Sequence, residues 1–192
     1  LGATGRKSEA VDANQTAVAL SPQDAESHNN FGVTLKELGK LKEAEASSKK
    51  AIQLEPGYSE AYNNLGITFQ DQGKLKEAEA SYVQAIKLKP DLAEAHCNLG
   101  VTLKALGRSD EAEASYSKAL ELKPHFTAAL MNRWQLLFDK GDLDAALQDI
   151  DLCNTGESRA VSLETLFALG RVEEIYERIE MWAELDEGNV FE

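Results

Sequence analysis

The apolar positions of residues 59–92 follow a helical spacing in two successive stretches. In each stretch they recur at intervals of three and four residues, which places them on one face of an α-helix. Gly73 separates the stretches at the point where a helix commonly ends in a left-handed residue, and Pro90 stops the second stretch because it lacks a backbone donor. The pattern therefore predicts a helical hairpin, with a first helix A and a second helix B. The positions are Tyr62, Leu65, Gly66 and Phe69 in helix A, then Leu75, Ala78, Tyr82, Ala85 and Ile86 in helix B.

This hairpin pattern recurs along the chain with a period of 34 residues. Such self-similarity is typical of architectures in which each unit buries its apolar face against its neighbours. We expect the small residues to let helices A and B approach closely. The members of the series are Pro22, Pro56, Pro90 and Pro124; Gly5, Gly39, Gly73, Gly107 and Gly141; and Gly32, Gly66 and Gly100.

The repeated residues resemble a known family, the tetratricopeptide repeat, whose W-x2-L-G-x2-Y…A-x3-F…A…P pattern has the same period. Residues 59–92 read Tyr62-x2-Leu65-Gly66-x2-Phe69…Ala78-x3-Tyr82…Ala85…Pro90, and residues 25–58 and 93–126 repeat the pattern. The resemblance implies an all-α, right-handed superhelical solenoid of antiparallel helix hairpins, with the A helices on the concave side. The departures are His28 and His96 in place of the first aromatic residue, and Ser48 in place of a large one.

The repeat divides the chain into six predicted segments. The first lacks most of its A helix, so that residues 6–20 read as a B helix. The fifth is degenerate because Trp134 stands where Gly100 stands in the preceding repeat, and we expect that hairpin to splay or repack. The segments are a truncated repeat at 1–24, repeats at 25–58, 59–92 and 93–126, a degenerate repeat at 127–155, and a short degenerate hairpin with an acidic tail at 156–192.

Charge and hydrophobicity limit the classes of partner, and the cysteine content indicates a cellular location. The chain holds 20 basic and 33 acidic residues, a net charge of −13, which argues against a nucleic-acid binder. Most of the excess lies in residues 125–192, with 5 basic and 15 acidic residues. No apolar run approaches the ~20 residues of a membrane helix, so we expect no membrane partner. Cys97 and Cys153 are too few for a disulfide framework, which favours a reducing, cytoplasmic location.

Candidate chemistry is sparse. No phosphate-binding glycine loop or dinucleotide fingerprint occurs in the sequence. The acidic pairs of the B helices, such as Glu43 and Glu45, recur in every repeat, which indicates an exposed face rather than a catalytic pair. His28 and His96 occupy equivalent positions and are interpreted as packing residues. We therefore expect no catalytic residues, no metal and no cofactor, hence no enzyme activity in this chain.

The concave side that the resemblance implies carries the candidate binding residues. An asparagine row at Asn30, Asn64, Asn98 and Asn132 has two interpretations: bonds to nearby backbone between helices, or bonds to the backbone of a bound extended chain. The row is similar to the asparagine ladder in the tetratricopeptide part of O-linked N-acetylglucosamine transferase. The basic clamp of chaperone-tail-binding members is absent, which disfavours an acidic C-terminal chaperone peptide. The predicted peptide-binding groove comprises Asn29, Asn30, Val33, Asn63, Asn64, Ile67, Asn98, Val101 and Asn132.

The sequence thus predicts a scaffold that binds a peptide or protein segment in its concave groove. An alternative is a substrate-recruiting or regulatory part of a larger enzyme, either glycosyltransferase-like or oxygenase-like. For the latter, residues 130–171 resemble bacterial repeat proteins that continue into a 2-oxoglutarate/iron oxygenase-like domain. We also expect a weak homo-oligomer through the chain ends, since an uncovered end of a repeat stack is adhesive.

Overall fold

The computed structural model describes the backbone of residues 2–153 and 156–188, and the side chains of residues 11–153 and 158–182. Every regular element in those ranges is an α-helix. The chain divides into two compact units, Leu1–Leu122 and Lys123–Glu192. The helices are α1 (Gly2–Leu20), α2 (Ala25–Glu37), α3 (Leu41–Leu54), α4 (Ser59–Asp71), α5 (Leu75–Leu88), α6 (Ala93–Ala105), α7 (Ser109–Leu122), α8 (Thr127–Lys140), α9 (Leu143–Asp151), α10 (Gly156–Ala168) and α11 (Val172–Gly188).

The first unit is a stack of antiparallel hairpins. Helix α2 packs on α3, α4 on α5, and α6 on α7, and the B helices α3 and α5 also contact the A helix of the next hairpin. The A helices α2, α4 and α6 contact one another in turn, which places them together on the inner side of the stack. The predicted all-α solenoid of helix hairpins is confirmed in this unit.

Close contact between helices A and B depends on the predicted glycines. A Cβ atom on Gly66 would lie 2.5 Å from Cε1 of Tyr82, and one on Gly100 would lie equally close to Tyr116. Both tyrosine side chains are fully buried. Since real Cβ atoms do not approach other atoms so closely, only glycine leaves room for the aromatic ring at this helix crossing.

The turns between the two helices of each hairpin are made by Gly39, by its equivalents at 34-residue intervals, and by Gly170. Gly39, Gly73, Gly107, Gly141 and Gly170 have φ between 71° and 82°, the left-handed region that glycine enters without steric cost. At α4 the Gly73 N–H donates to the carbonyl of Gln70, and the Lys74 N–H donates to that of Phe69, both at 2.9 Å. This Schellman arrangement satisfies carbonyls that the helix leaves without partners.

The front of the chain differs from the prediction. Helix α1 begins at Gly2 and runs without interruption through Gly5, whereas the sequence predicted a B helix over 6–20. Glycine permits a left-handed turn without requiring one, so Gly5 can continue a helix.

The first full hairpin contains the predicted small residue in its buried core. Ser48 takes the position of Tyr82, and its Oγ would lie 2.9 Å from a Cβ on Gly32. The side chain is 1% exposed, and its hydroxyl has no hydrogen-bond partner in the described part of the chain. A buried unpaired hydroxyl costs about 1–3 kcal/mol, but the crossing itself stays close, since α2 and α3 pack as extensively as the helices of the next two hairpins.

The second unit repacks around Trp134. The indole is 6% exposed, and its Nε1–H donates to Oγ1 of Thr165 on α10 at 2.9 Å. Helix α9 is only nine residues long and packs on both α8 and α10. Where the preceding repeats have the glycine of the close A–B crossing, this hairpin thus has a large side chain that contacts α10.

Ion pairs link successive B helices of the first unit. Lys74, just before α5, lies 3.0 Å from Glu45 on α3, and Arg108 lies 2.6 Å from Glu79 in the same register. The predicted exposed acidic face therefore needs a correction: the first glutamate of each pair is exposed, while Glu45 and Glu79 are half-buried. Hydrogen bonding to Lys49 and then to Lys74 lowers the pKa of Glu45 to about 2.

We predict that Gly66→Ala lowers the free energy of unfolding by about 1–3 kcal/mol, because the new methyl group overpacks the Tyr82 ring. Gly57→Ala is the matched control, since a Cβ there meets nothing within 4 Å. Urea unfolding followed by circular dichroism measures both. Equal midpoints for the two variants would contradict the tight crossing.

We predict that Glu45→Gln removes part of the acid sensitivity of folding. The folded-state pKa lies below the ordinary carboxylate value of 4.5, so the ion pairs stabilise the protein above that value. This stabilisation is lost as the pH falls towards the folded-state pKa. The wild-type advantage over Glu45→Gln should therefore shrink between about pH 6 and pH 3, as measured by urea unfolding at each pH. Glu43→Gln, on the exposed face, should show no such change.

Candidate functional site

The inner face of the first unit brings eight of the nine predicted groove residues onto adjacent helices. Helices α2, α4 and α6 lie side by side, so residues 34 apart form rows across them. We call this surface the groove. Asn132, the ninth residue, lies on α8 in the second unit. The groove residues are Asn29, Asn30 and Val33 on α2, Asn63, Asn64 and Ile67 on α4, and Asn98 and Val101 on α6.

The asparagine side chains bond from one repeat to the next. Nδ2 of Asn64 donates to Oδ1 of Asn29 at 2.9 Å, and Nδ2 of Asn98 donates to Oδ1 of Asn63 at 3.0 Å. Asn29 is 5% exposed, so this bond satisfies a buried acceptor. The row thus has a structural use. The sequence interpretation expected bonds to nearby backbone, whereas the acceptors are side-chain oxygens of the preceding repeat.

A threonine row lies one helical turn after the asparagines, and sequence reasoning missed it. The Oγ1–H groups of Thr34, Thr68 and Thr102 each donate to the carbonyl four residues earlier, which belongs to Asn30, Asn64 or Asn98. Oε1 of Gln70 is 3.0 Å from Thr102 Oγ1 and accepts from the Tyr82 hydroxyl at 3.2 Å. The 34-residue spacing of these threonines was the signal in the sequence that could have revealed the row.

Several polar and apolar groups of the groove remain open to a ligand. Asn30 is exposed, and the Oδ1 atoms of Asn64 and Asn98 accept no hydrogen bond within the described residues. Val33, Ile67 and Val101 are half-buried, so part of each side chain still faces outward. The surface therefore offers an apolar row beside amide donors and acceptors, repeated across three helices.

The two ends of the groove helices differ in charge. Glu26, Glu60 and Glu94 lie in their first turns, whereas Lys36 and Lys104 lie in the last turns of α2 and α6. Lys89, 2.8 Å away, holds the pKa of Glu60 below its ordinary value. This charge order complements the helix dipoles, and it also gives the groove one acidic edge.

The histidines have structural partners. Nε2 of His28 lies 3.1 Å from the carbonyl oxygen of Pro22, and Nε2 of His96 lies 3.0 Å from that of Pro90. Each imidazole thus hydrogen-bonds to the loop that precedes its helix, which agrees with the interpretation of these histidines as packing residues. Among the described residues, no group of three or more His, Cys, Asp or Glu side chains could hold a metal ion. None of the described helices is long and apolar enough to span a bilayer.

A cavity of about 450 Å³ lies between α9, α10 and α11 in the second unit. The guanidinium group of Arg178 on its wall donates to both carboxylate oxygens of Asp151 and to Oγ of Ser162. Burial raises the pKa of the Cys153 thiol, which also lines it, so the thiol stays protonated and unreactive at neutral pH. The polar groups of this cavity are largely satisfied by one another.

Three models of known protein families match parts of this chain. A family model described as a TPR repeat matches residues 68–107. Two models described as tetratricopeptide repeats match residues 93–126 and residues 13–46 and 48–80. Together these matches span more than half of the chain. The chain belongs to the tetratricopeptide repeat family.

Solved tetratricopeptide structures share the fold at low sequence identity. PilF of Pseudomonas aeruginosa has 19% identity and a TM-score of 0.79, over 96% of this chain and 86% of that one. TTC0263, a thermophilic TPR protein of Thermus thermophilus, has 24% identity and a TM-score of 0.72, over 86% and 93%. YrrB, a TPR protein with an unusual peptide-binding site, has 23% identity and a TM-score of 0.67, over 89% and 91%. No curated protein matches the sequence.

We predict that Asn64→Ala destabilises the first unit by about 1 kcal/mol, because Asn29 loses its hydrogen-bond donor. Asn30→Ala is the matched control, since that side chain occupies the same position of its repeat but is exposed. Thermal unfolding by calorimetry compares the two. An Asn30→Ala variant as unstable as Asn64→Ala would show that the cross-repeat bond is not the cause.

Proposed function

We propose that this tetratricopeptide repeat protein binds an extended segment of a partner protein in the groove of its first unit. Proteins of this family are generally interaction scaffolds, and the groove supplies the surface for such a role. The observation that supports the proposal best is the repetition of one half-buried aliphatic residue and one amide per repeat at Asn30 and Val33, Asn64 and Ile67, and Asn98 and Val101.

The spacing of these rows suits an extended chain. Packed helices lie about 8–10 Å apart, and an extended chain advances about 3.3 Å per residue. Each repeat therefore meets every third residue of the ligand. The aliphatic side chains bury apolar residues, while the open oxygens of Asn64 and Asn98 accept from backbone N–H groups. Affinity comes from several modest contacts rather than from one deep pocket.

The predicted self-association through the chain ends stays a prediction beside this function. Leu20, at the end of α1, is 79% exposed and would form part of such an end contact. It lies outside the groove, so sedimentation of Leu20→Ser at high salt tests it separately from peptide binding.

We predict that peptides selected from a random library displayed on phage bind through the groove. Val33→Lys and Val101→Lys should each weaken binding of a selected peptide by about tenfold, because a charge replaces a buried contact. Fluorescence anisotropy measures the dissociation constants. Val83→Lys is the matched control: Val83 is 51% exposed on α5 outside the groove, and its substitution should leave binding unchanged.

Two results would refute the proposed function. One is a selection that enriches no peptide sensitive to the groove variants. The other is equal weakening by Val101→Lys and Val83→Lys, which would show that charge alone, rather than location, controls binding. Circular dichroism melting of each variant separates lost binding from lost folding.

A further inference from the structure

An apolar stripe lies uncovered on α11, the last described helix of the second unit. Val172, Tyr176 and Ile179 occur at positions i, i+4 and i+7, which places them on one helix face. They are 47%, 66% and 46% exposed. The packed side of α11 lies next to the stripe: Arg178 and Trp182, about 80–120° from Val172 around the helix, line the cavity against α9 and α10. We call the three residues the terminal stripe.

The repeat register identifies what kind of element covers such a stripe. Ile179 follows the turn glycine Gly170 by nine residues, as Tyr82 follows Gly73. Tyr82 is fully buried in a cluster against which Leu99, from the A helix of the following hairpin, packs. In the interior of the stack, a residue at the position of Ile179 thus packs on the A helix of its own hairpin and is also covered by the A helix of the next one. Ile179 keeps 46% of its surface exposed among the described residues.

The charged residues around the terminal stripe indicate which charge the polar side of a bound helix would carry. Glu173 and Glu180 lie beside the stripe on its solvent side, at about 80–100° from Val172 around the helix. The neighbouring cation, Arg171, is already bonded to Glu174 at 2.5 Å and lies 3.5 Å from Asp144. Residues 125–192 hold 5 basic and 15 acidic residues, so the field that a partner meets is negative.

We propose that the terminal stripe docks a cationic amphipathic helix from a partner protein. The apolar side of that helix covers Val172, Tyr176 and Ile179, while its Lys or Arg residues lie against Glu173 and Glu180. A second copy of the same face would bring two acidic surfaces together, and like charges oppose that contact. This site is separate from the groove and does not depend on its function.

The test uses two fluorescein-labelled synthetic peptides of about five helical turns. Both carry the same leucine stripe, and the polar side holds lysine in one and glutamate in the other. We expect the full chain to bind the lysine peptide more tightly, with an affinity that falls as salt is added. Tyr176→Ser and Ile179→Ser should each weaken this binding by about tenfold. Val83→Ser, an exposed aliphatic residue on α5, should change it by less than about twofold.

Three outcomes would overturn the proposal. The first is lysine-peptide binding that Tyr176→Ser and Val83→Ser affect equally, which would place the peptide elsewhere on the acidic surface. The second is equal affinity for the lysine and glutamate peptides. The third is concentration-dependent dimerisation of the chain that Tyr176→Ser abolishes in sedimentation velocity, which would make a second copy the occupant. Since both substituted residues are exposed, unchanged melting temperatures verify that the variants fold.

Discussion

The close crossing of helices A and B, where a glycine faces a buried aromatic ring, is the contact on which the first unit depends. At Gly66 and Gly100 no side-chain atom separates the helix backbone from Tyr82 or Tyr116. The ring then lies where the A helix of the following hairpin can cover it, as Leu99 does for the cluster around Tyr82. One small residue thereby sets both the geometry of a hairpin and the surface that receives the next one.

Two hairpins carry other residues at this crossing. In the first full hairpin, Ser48 replaces the ring and leaves a buried hydroxyl without a partner in the described residues. In the second unit, Trp134 replaces the glycine and reaches Thr165 on α10. The Ser48 hairpin keeps the close crossing, since a Cβ on Gly32 would lie 2.9 Å from the Ser48 Oγ, whereas at Trp134 the side chain contacts α10 instead.

The groove and the stack share the same polar residues. Asn64 and Asn98 each use one N–H to join adjacent repeats, and their Oδ1 atoms accept no hydrogen bond within the described residues. Because the cross-repeat bond fixes the amide, its open acceptor is already oriented before a ligand arrives. Preorganisation of this kind reduces the entropy that binding must overcome. The same residues can therefore stabilise the fold and take part in recognition.

The sequence by itself determined the helices, the hairpins and the glycine turns, because a 34-residue period repeats the same local and nearest-neighbour constraints. It also placed eight groove residues on three adjacent helices. It did not determine that Glu45 and Glu79 form ion pairs with the next repeat, because nothing in the sequence distinguishes the two glutamates of each B helix. It predicted a B helix over 6–20, whereas α1 begins at Gly2 and continues through Gly5, because glycine permits a left-handed turn without requiring it. Which amide bonds to which, and that Ile179 remains 46% exposed, depend on distances between separate helices, and only the tertiary structure decides those.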